Sequence, residues 1–249
     1  MTLLLLGGTA EARAVAEQLH ARGVDVIYSI AGLVRQPQLH CRIESGGFSR
    51  HGGLDAFCRA EGVDAVLDAT HPYAAHMSCT AREVTRALQI PLWRYQRSPW
   101  QAGAGDDWRA FEDWRELPAA LADRRAVFLT AGQIDPDIAD AFASTPGQKQ
   151  WLRSATAPGV ELPESMTWIE AIGPFAADDE RALFEQHGFD AVVSKNSGGA
   201  ATAAKLDIAR ERGVPVWLLE RPRLPAADDE FAEVPACVEF VVAQQRETA

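Results

Sequence analysis

The chain has 249 residues, 47% of them apolar and 24% charged, which suits a globular protein of one large or two small domains. Its 24 basic and 35 acidic residues give a net charge of −11, which argues against nucleic acid or an anionic membrane as the main partner. No apolar run reaches the ~18 residues of a membrane span, no basic region precedes the first apolar run as in a signal peptide, and Cys41, Cys58, Cys79 and Cys237 show no zinc-type spacing and fit a reducing cytoplasm.

The run Leu3 to Leu6 is short enough only for a buried strand, and it meets Gly7-Gly8-Thr9-Ala10-Glu11. A helical pattern follows, with Ala12, Val15, Ala16 and Leu19 apolar and Gly23 as the stop. Strand, glycine turn and helix make a phosphate site, because the glycines admit a phosphate to the backbone and the helix start offers unpaired N–H groups. The spacing departs from G-x-G-x-x-G, and a tight turn of this kind also serves any doubly wound fold.

A second strand spans Val24 to Ile30. In a dinucleotide fold its end meets the adenine ribose, where an acidic residue selects NAD. Here Ser29, Ala31-Gly32 and Arg35 follow instead, a hydroxyl, a close backbone and a guanidinium suited to a 2′-phosphate. If a dinucleotide binds, NADP(H) is therefore expected; a polar loop with a solvated arginine is the other reading.

Next come Ser45-Gly46-Gly47-Phe48, a helix over 54–61 and a strand Ala65 to Leu67 running into Asp68-Ala69-Thr70-His71-Pro72-Tyr73. Polar residues past the carboxyl end of a parallel strand mark where open α/β sheets bind ligands. His71 is suited to donating to a substrate, acting as an acid, or capping the helix over 74–88. His76 and Cys79 make no ligand set with it, and no metal is expected.

A repeat runs through the chain. Asp64-Ala65-Val66, a polar loop, a helix and Ile90-Pro91-Leu92-Trp93 return as Asp190-Ala191-Val192, a polar loop, a helix and Val214-Pro215-Val216-Trp217. Each copy is followed by a basic residue, Arg94 or Arg221. The expected fold is α/β, with two Rossmann-like domains whose parallel sheets face each other across a cleft. The expected boundaries are a cofactor domain over 1–97, a polar linker over 98–107 and a second domain over 108–249.

In the second half, a helix is expected around Trp114 to Ala122, then a strand Ala126 to Leu129 ending in Thr130-Ala131-Gly132, and a further strand ending at Arg153. Asp178-Asp179-Glu180 read as a solvated helix start. Ser194-Lys195-Asn196-Ser197-Gly198-Gly199-Ala200-Ala201-Thr202 read as an anion cradle before a helix that carries Lys205. The cradle lacks Walker spacing, and carboxylates suit it as well as phosphates do.

Gly7-Gly8-Thr9-Ala10-Glu11, Ala31-Gly32, Asp68 to Ala74, Thr130 with Gly132, Ser194 to Gly199 and Arg221-Pro222 together resemble the precorrin-6A reductases of cobalamin biosynthesis, in order and spacing, across essentially the whole chain. The family pattern has an arginine directly after Ala31-Gly32, where this chain has Leu33-Val34-Arg35. The resemblance implies NADPH-dependent reduction of one ring double bond of precorrin-6A to precorrin-6B, or of its cobalt-containing counterpart in the anaerobic route. The residue reading and the resemblance together give a cofactor set of Gly7, Gly8, Thr9, Ala10, Glu11, Ser29, Ala31, Gly32, Arg35, Gly47, Thr70, Thr130 and Gly132. For the polycarboxylate macrocycle the two together give His71, Arg94, Arg153, Lys195, Asn196, Ser197, Gly198, Gly199, Thr202, Lys205 and Arg221, the basic residues being read at or just past predicted strand ends. The proton donor is left open among His71, Tyr73, Lys195 and water. A cytoplasmic monomer is expected, with transient hand-over to neighbouring pathway enzymes and no nucleic-acid or membrane partner. Two other readings stand beside this one, a non-catalytic NADP-binding sensor and a phosphate- or sugar-nucleotide-binding transferase.

Overall fold

Leu3, Leu4 and Leu5 are fully buried and Leu6 is 2% exposed, as an uninterrupted apolar run requires when a strand is covered on both faces. The computed structural model describes residues 1–32 and 38–247. The first half comprises β1 (Thr2–Leu6), α1 (Ala10–Ala21), β2 (Asp25–Ile30), β3 (Arg42–Ser45), α2 (Leu54–Glu61), β4 (Ala65–Asp68), α3 (Ala75–Leu88) and β5 (Leu92–Tyr95). The second comprises β6 (Trp108–Phe111), α4 (Leu117–Ala120), β7 (Ala126–Thr130), α5 (Pro136–Ala143), β8 (Lys149–Ser154), β9 (Met166–Glu170), α6 (Ala177–His187), β10 (Ala191–Lys195), α7 (Ala204–Arg212) and β11 (Val216–Leu219). The chain closes with β12 (Asp229–Phe231) and α8 (Val234–Glu247).

Two six-stranded sheets result, ordered β12-β5-β4-β1-β2-β3 and β6-β11-β10-β7-β8-β9. Every pairing in them is parallel. This is the α/β class expected, and the two copies of the repeat hold matching places, β4 and β5 in one sheet and β10 and β11 in the other. The aspartates that open the copies do the same work. Asp64 Oδ2 accepts from the Thr2 amide at 2.7 Å, and Asp190 accepts from the Arg125 and Ala126 amides at 2.8 and 2.9 Å. Each ties the amino end of its own strand to the central strand beside it.

The sixth strand of the first sheet comes from the end of the chain. After β5 the chain enters the second sheet as β6, beside β11, and after β11 it returns to the first sheet as β12, beside β5. The two compact units are therefore residues 1–98 with 222–249, and residues 99–221. This corrects the expected boundaries. Residues 222–249 belong to the first unit, and most of the segment expected as a linker belongs to the second. The reason is packing: on α8, Cys237, Val238, Val241 and Val242 join the core cluster of Leu3, Leu5, Val15 and Leu19. Apolar spacing shows that α8 is amphipathic but carries no information on which sheet it covers.

Candidate active site

In the first unit, Leu6 stands in register with Ser29 on β2 and Asp68 on β4, so the loops after these strands open at one sheet edge. Thr9 caps α1, its Oγ1 accepting from the Ala12 amide at 3.0 Å and donating to the Ala69 carbonyl at 3.4 Å. The amides of Ala10 and Glu11 head the helix and have no intrahelical acceptor. Gly8 differs from expectation: its amide donates to Tyr28 Oη at 3.0 Å. The turn thus presents the helix amides while Tyr28 holds the glycine from below. No described residue lies within 4 Å of a Cβ built at Gly8, Gly32 or Gly47, which leaves the backbone approachable there.

Ser29 is buried at the end of β2, and no carboxylate follows through Gly32. Arg35 lies outside the described residues. Gly47 follows β3 at φ 75°, a left-handed conformation that favours glycine. Nearby, hydrogen bonds from Arg50 and His51 hold the Glu44 carboxyl below the usual carboxylate range against the effect of its burial.

Asp68 closes β4 at 2% exposure and orders the loop beyond it. It accepts from Thr70 Oγ1 at 2.7 Å, Ser78 Oγ at 2.6 Å and Arg94 Nε at 3.2 Å. His71 Nδ1 accepts from the Tyr73 amide at 3.4 Å, which puts the proton of a neutral ring on Nε2, and the two rings lie 5.7 Å apart. Arg94, expected to meet substrate, is 3% exposed. Beyond Asp68 it pairs with Glu230 at 2.9 Å and the Pro225 carbonyl at 2.8 Å, both carried by the segment returning from the second unit. It is a structural cross-brace. Arg97, absent from the sequence-based set, pairs with Glu11 at 2.6 Å and lines a small cleft with Thr9, Thr70 and Pro72.

In the second unit, Thr130 and Gly132 lie at the end of β7 beside β10, in the same sheet as the Lys195 loop. Thr130 Oγ1 donates to the Val193 carbonyl at 3.0 Å, and Gly132 turns at φ 79°. Burial lowers Lys195 from its ordinary range, opposed by the nearby Asp135 carboxylate. Asn196 shapes the loop: Oδ1 accepts from the Trp100 amide at 2.8 Å and Nδ2 donates to its carbonyl at 3.2 Å. Arg221 reaches the Asn196 and Ser197 carbonyls at 2.8 and 3.0 Å, Trp100 Nε1 the Gly199 carbonyl at 3.1 Å, and Lys205 Nζ the Thr202 carbonyl at 2.5 Å. In a trans peptide the N–H points opposite the preceding carbonyl. The amides of Gly198 and Ala200 are therefore turned away from Arg221 and Trp100.

Two more expected substrate contacts are internal. Arg153 is 6% exposed, pairs with Glu180, and lies 3.8 Å from the ring centre of Phe175 and 4.7 Å from that of Phe128. Burial lowers Arg153 from its ordinary range, with Glu180 opposing. Lys205 is 3% exposed, and burial with Arg153 beside it lowers its pKa to about 7. Glu180 corrects the reading of the acidic helix start: Asp178 and Asp179 are exposed, but Glu180, one step on, turns into the core to meet Arg153. A cavity of about 420 Å³ beside the Asn196 end of the loop is lined by Pro99, Trp108, Asn196, Leu219 and Arg221 among others.

The family model for precorrin-6x reductases of the CbiJ/CobK type matches residues 2–242. The chain belongs to this family. It is 39% identical over 242 residues to the precorrin-6A reductase of Rhodococcus erythropolis, covering 96% of each chain. Against the precorrin-6A reductase of Rhodobacter capsulatus it is 39% identical over 232 residues, covering 91% of this chain and 90% of the other. Against the cobalt-precorrin-6A reductase of Priestia megaterium it is 27% identical over 256 residues, with 96% of each chain covered. The solved structure of a CobK precorrin-6A reductase is similar with a TM-score of 0.85 and 35% identity, covering 98% of this chain and 97% of that one. As a precorrin-6x reductase the chain is an oxidoreductase acting on a CH–CH group in cobalamin biosynthesis, which implies a tetrapyrrole substrate and points to a nicotinamide cofactor. Among the described residues no helix of this reductase is long and apolar enough to cross a membrane.

Sequence reading missed Tyr28, Arg97, Trp100 and Asp135. Tyr28 is hidden in an apolar strand and Trp100 in a stretch dense with turn residues. Asp135 before Pro136 carried the signal of a helix start, although not that of a neighbour to Lys195.

Proposed function

We propose that this reductase takes hydride from NADPH to reduce one ring double bond of metal-free precorrin-6A, giving precorrin-6B. The observation that carries the cofactor choice is the end of β2, where buried Ser29 stands beside the glycine turn and no carboxylate follows through Gly32. An acidic group there would repel a 2′-phosphate. The residues present fit a dinucleotide: approachable backbone at Gly8 and Gly32, and the Ala10 and Glu11 amides heading a capped helix. Arg97 neutralises Glu11, which would otherwise place a negative charge beside a diphosphate.

When bound, the nicotinamide supplies hydride to one ring carbon, and a proton reaches the neighbouring carbon. In this reading the Lys195 loop of the second unit grips a macrocycle carboxylate, with Ser197 and the Gly198 and Ala200 amides as donors. Remote grip of this kind raises turnover by holding the reacting carbon in place. His71 Nε2, the Tyr73 hydroxyl, Lys195 and water are the proton sources under this reading. The higher identity to precorrin-6A reductases than to a cobalt-precorrin-6A reductase supports the metal-free substrate. The enzyme is read as a cytoplasmic monomer.

The test is anaerobic incubation with precorrin-6A and NADPH, with cobalt-precorrin-6A and NADH as comparison arms, following the spectra of macrocycle and cofactor. Oxidation of NADPH matched by a changed precorrin-6A spectrum is expected. An unchanged macrocycle with active controls would sink the reading, and faster turnover of the cobalt form would move the chain to the other route.

A further inference from the structure

The chain carries three lysines, Lys149, Lys195 and Lys205, against many arginines, and two of the three fall within one strand–loop–helix segment. Lys205 sits beneath that segment at 3% exposure, its Nζ donating to the Thr202 carbonyl at 2.5 Å and lying 4.8 Å from the ring centre of Trp100. The charged groups around it are Arg153 from β8 and Glu180 from α6. Glu180 binds Arg153 through Oε1, and its buried Oε2 accepts no hydrogen bond among the described residues. One carboxylate therefore faces two buried cations.

We propose that Lys205 is a positioning residue for the 196–202 loop, fixing the far end of the turn Ala200–Thr202 at the Thr202 carbonyl while Trp100 fixes its near end at Gly199, so that the Ala200 amide stays set outward for the substrate carboxylate. The proposal rests on the reading that this loop grips a carboxylate. A buried carbonyl bonded to an ammonium is held more firmly than one bonded to a neutral amine. The grip of the loop is therefore linked to the charge on Lys205. Lysine suits this role because, unlike arginine, it sheds its proton when buried among cations. Burial and Arg153 bring its titration to about 7, with Glu180 opposing.

The experiment labels the lysines with carbon-13 and follows their Cε resonances against pH, alongside kcat/KM for precorrin-6A and the Kd for NADPH. Three resonances are expected, and the one lost in Lys205→Met should titrate near neutrality. In the wild type, kcat/KM should fall as pH rises from about 6 to about 8, with the same midpoint as that resonance. Lys205→Met should lower kcat/KM about tenfold at the acid end and flatten the profile, leaving the Kd for NADPH within a few-fold. Lys205→Arg, which stays charged, should flatten it too. The proposal is overturned if the Lys205 resonance titrates only above about pH 9, if its midpoint differs from the kinetic one, or if Lys205→Met keeps wild-type kcat/KM. Lys195→Ala separates the two levels. Impaired Lys195→Ala with normal Lys205→Met rejects the positioning role alone, whereas normal Lys195→Ala rejects the carboxylate-gripping loop and the positioning role with it.

Discussion

Tyr28 lies directly against Gly7: a Cβ built at position 7 would stand 2.2 Å from Tyr28 Cζ, and the Tyr28 hydroxyl accepts from the next amide, that of Gly8, at 3.0 Å. Gly7 is thus required by close approach, whereas Gly8, at φ 121°, is required by its backbone conformation.

Gly7→Ala should therefore cost about 1–3 kcal/mol of unfolding free energy through overpacking against a fully buried ring, read by denaturant titration. Tyr28→Leu in the same chain should return part of that loss. Tyr28→Phe, which removes only the hydroxyl, should cost about 1 kcal/mol and loosen cofactor binding by freeing the Gly8 amide. No loss in Gly7→Ala would show that the turn relaxes away from Tyr28.

Cofactor choice is tested separately. With no carboxylate following β2 through Gly32, NADPH should bind at least about tenfold tighter than NADH, or ~1.4 kcal/mol. Arg35→Ala should remove most of that preference and leave NADH binding nearly unchanged. Equal affinities in the wild type, measured by calorimetry, would reject the assignment.

Lys195→Ala should leave NADPH affinity within a few-fold and cut kcat/KM by roughly ten- to a thousandfold, the range of one or two charge-assisted bonds lost in the transition state. If NADPH affinity falls as far as turnover does, the loop serves the cofactor instead, and the roles of the two units change places.

Arg94 makes a different kind of prediction. Removing one partner of a buried ion pair strands the other, so Asp68→Ala should cost about 3–5 kcal/mol, with Arg94 left at 4% side-chain exposure. Asp68→Asn should cost less and mainly disturb Thr70, whose hydroxyl Asp68 holds. If Arg94→Ala raised KM for the macrocycle with no change in unfolding midpoint, Arg94 would be a substrate contact after all.

Lys205 also links stability to pH. Its pKa is about 7 in the folded chain, against an ordinary value of ~10.4. Between these values the unfolded chain holds a proton that the folded chain does not, so this group makes stability rise with pH. Burial pushes the Cys58 thiol up to about 11 and Cys237 up to about 12, which makes stability fall once unfolded thiols ionise above ~8.5. In the window from about pH 7 to about pH 8.5, the Lys205 contribution should approach ~1.4 kcal/mol per pH unit, and Lys205→Met should remove it. An unchanged slope in the variant, read by denaturant titration across that window, would assign the proton elsewhere.

Much of this was legible in the residues. Leu3–Leu6 with Gly7-Gly8-Thr9 specify a buried strand and a turn because apolar continuity and missing side chains act locally. The repeated Asp-Ala-Val strands located β4 and β10, the inner neighbours of β1 and β7. Charged residues at strand ends were read less well. Arg94, Arg153 and Lys205 looked like a polyanion site, yet all three are buried, the two arginines against carboxylates far away in sequence. A guanidinium at the end of a strand has the same local signature whether it faces solvent or a carboxylate on another element.

The amino-acid sequence by itself determined two parallel α/β sheets, the loops at their carboxyl ends and the family to which those loops belong, because period, glycine and capping are short-range properties. Only the tertiary structure decided that β12 returns to the first sheet, since a three-residue edge strand such as Asp229–Phe231 has no pattern that names its neighbour. The same holds for Glu180 against Arg153 and Glu230 against Arg94. Burial makes each charge depend on a partner, and long-range packing alone supplies it.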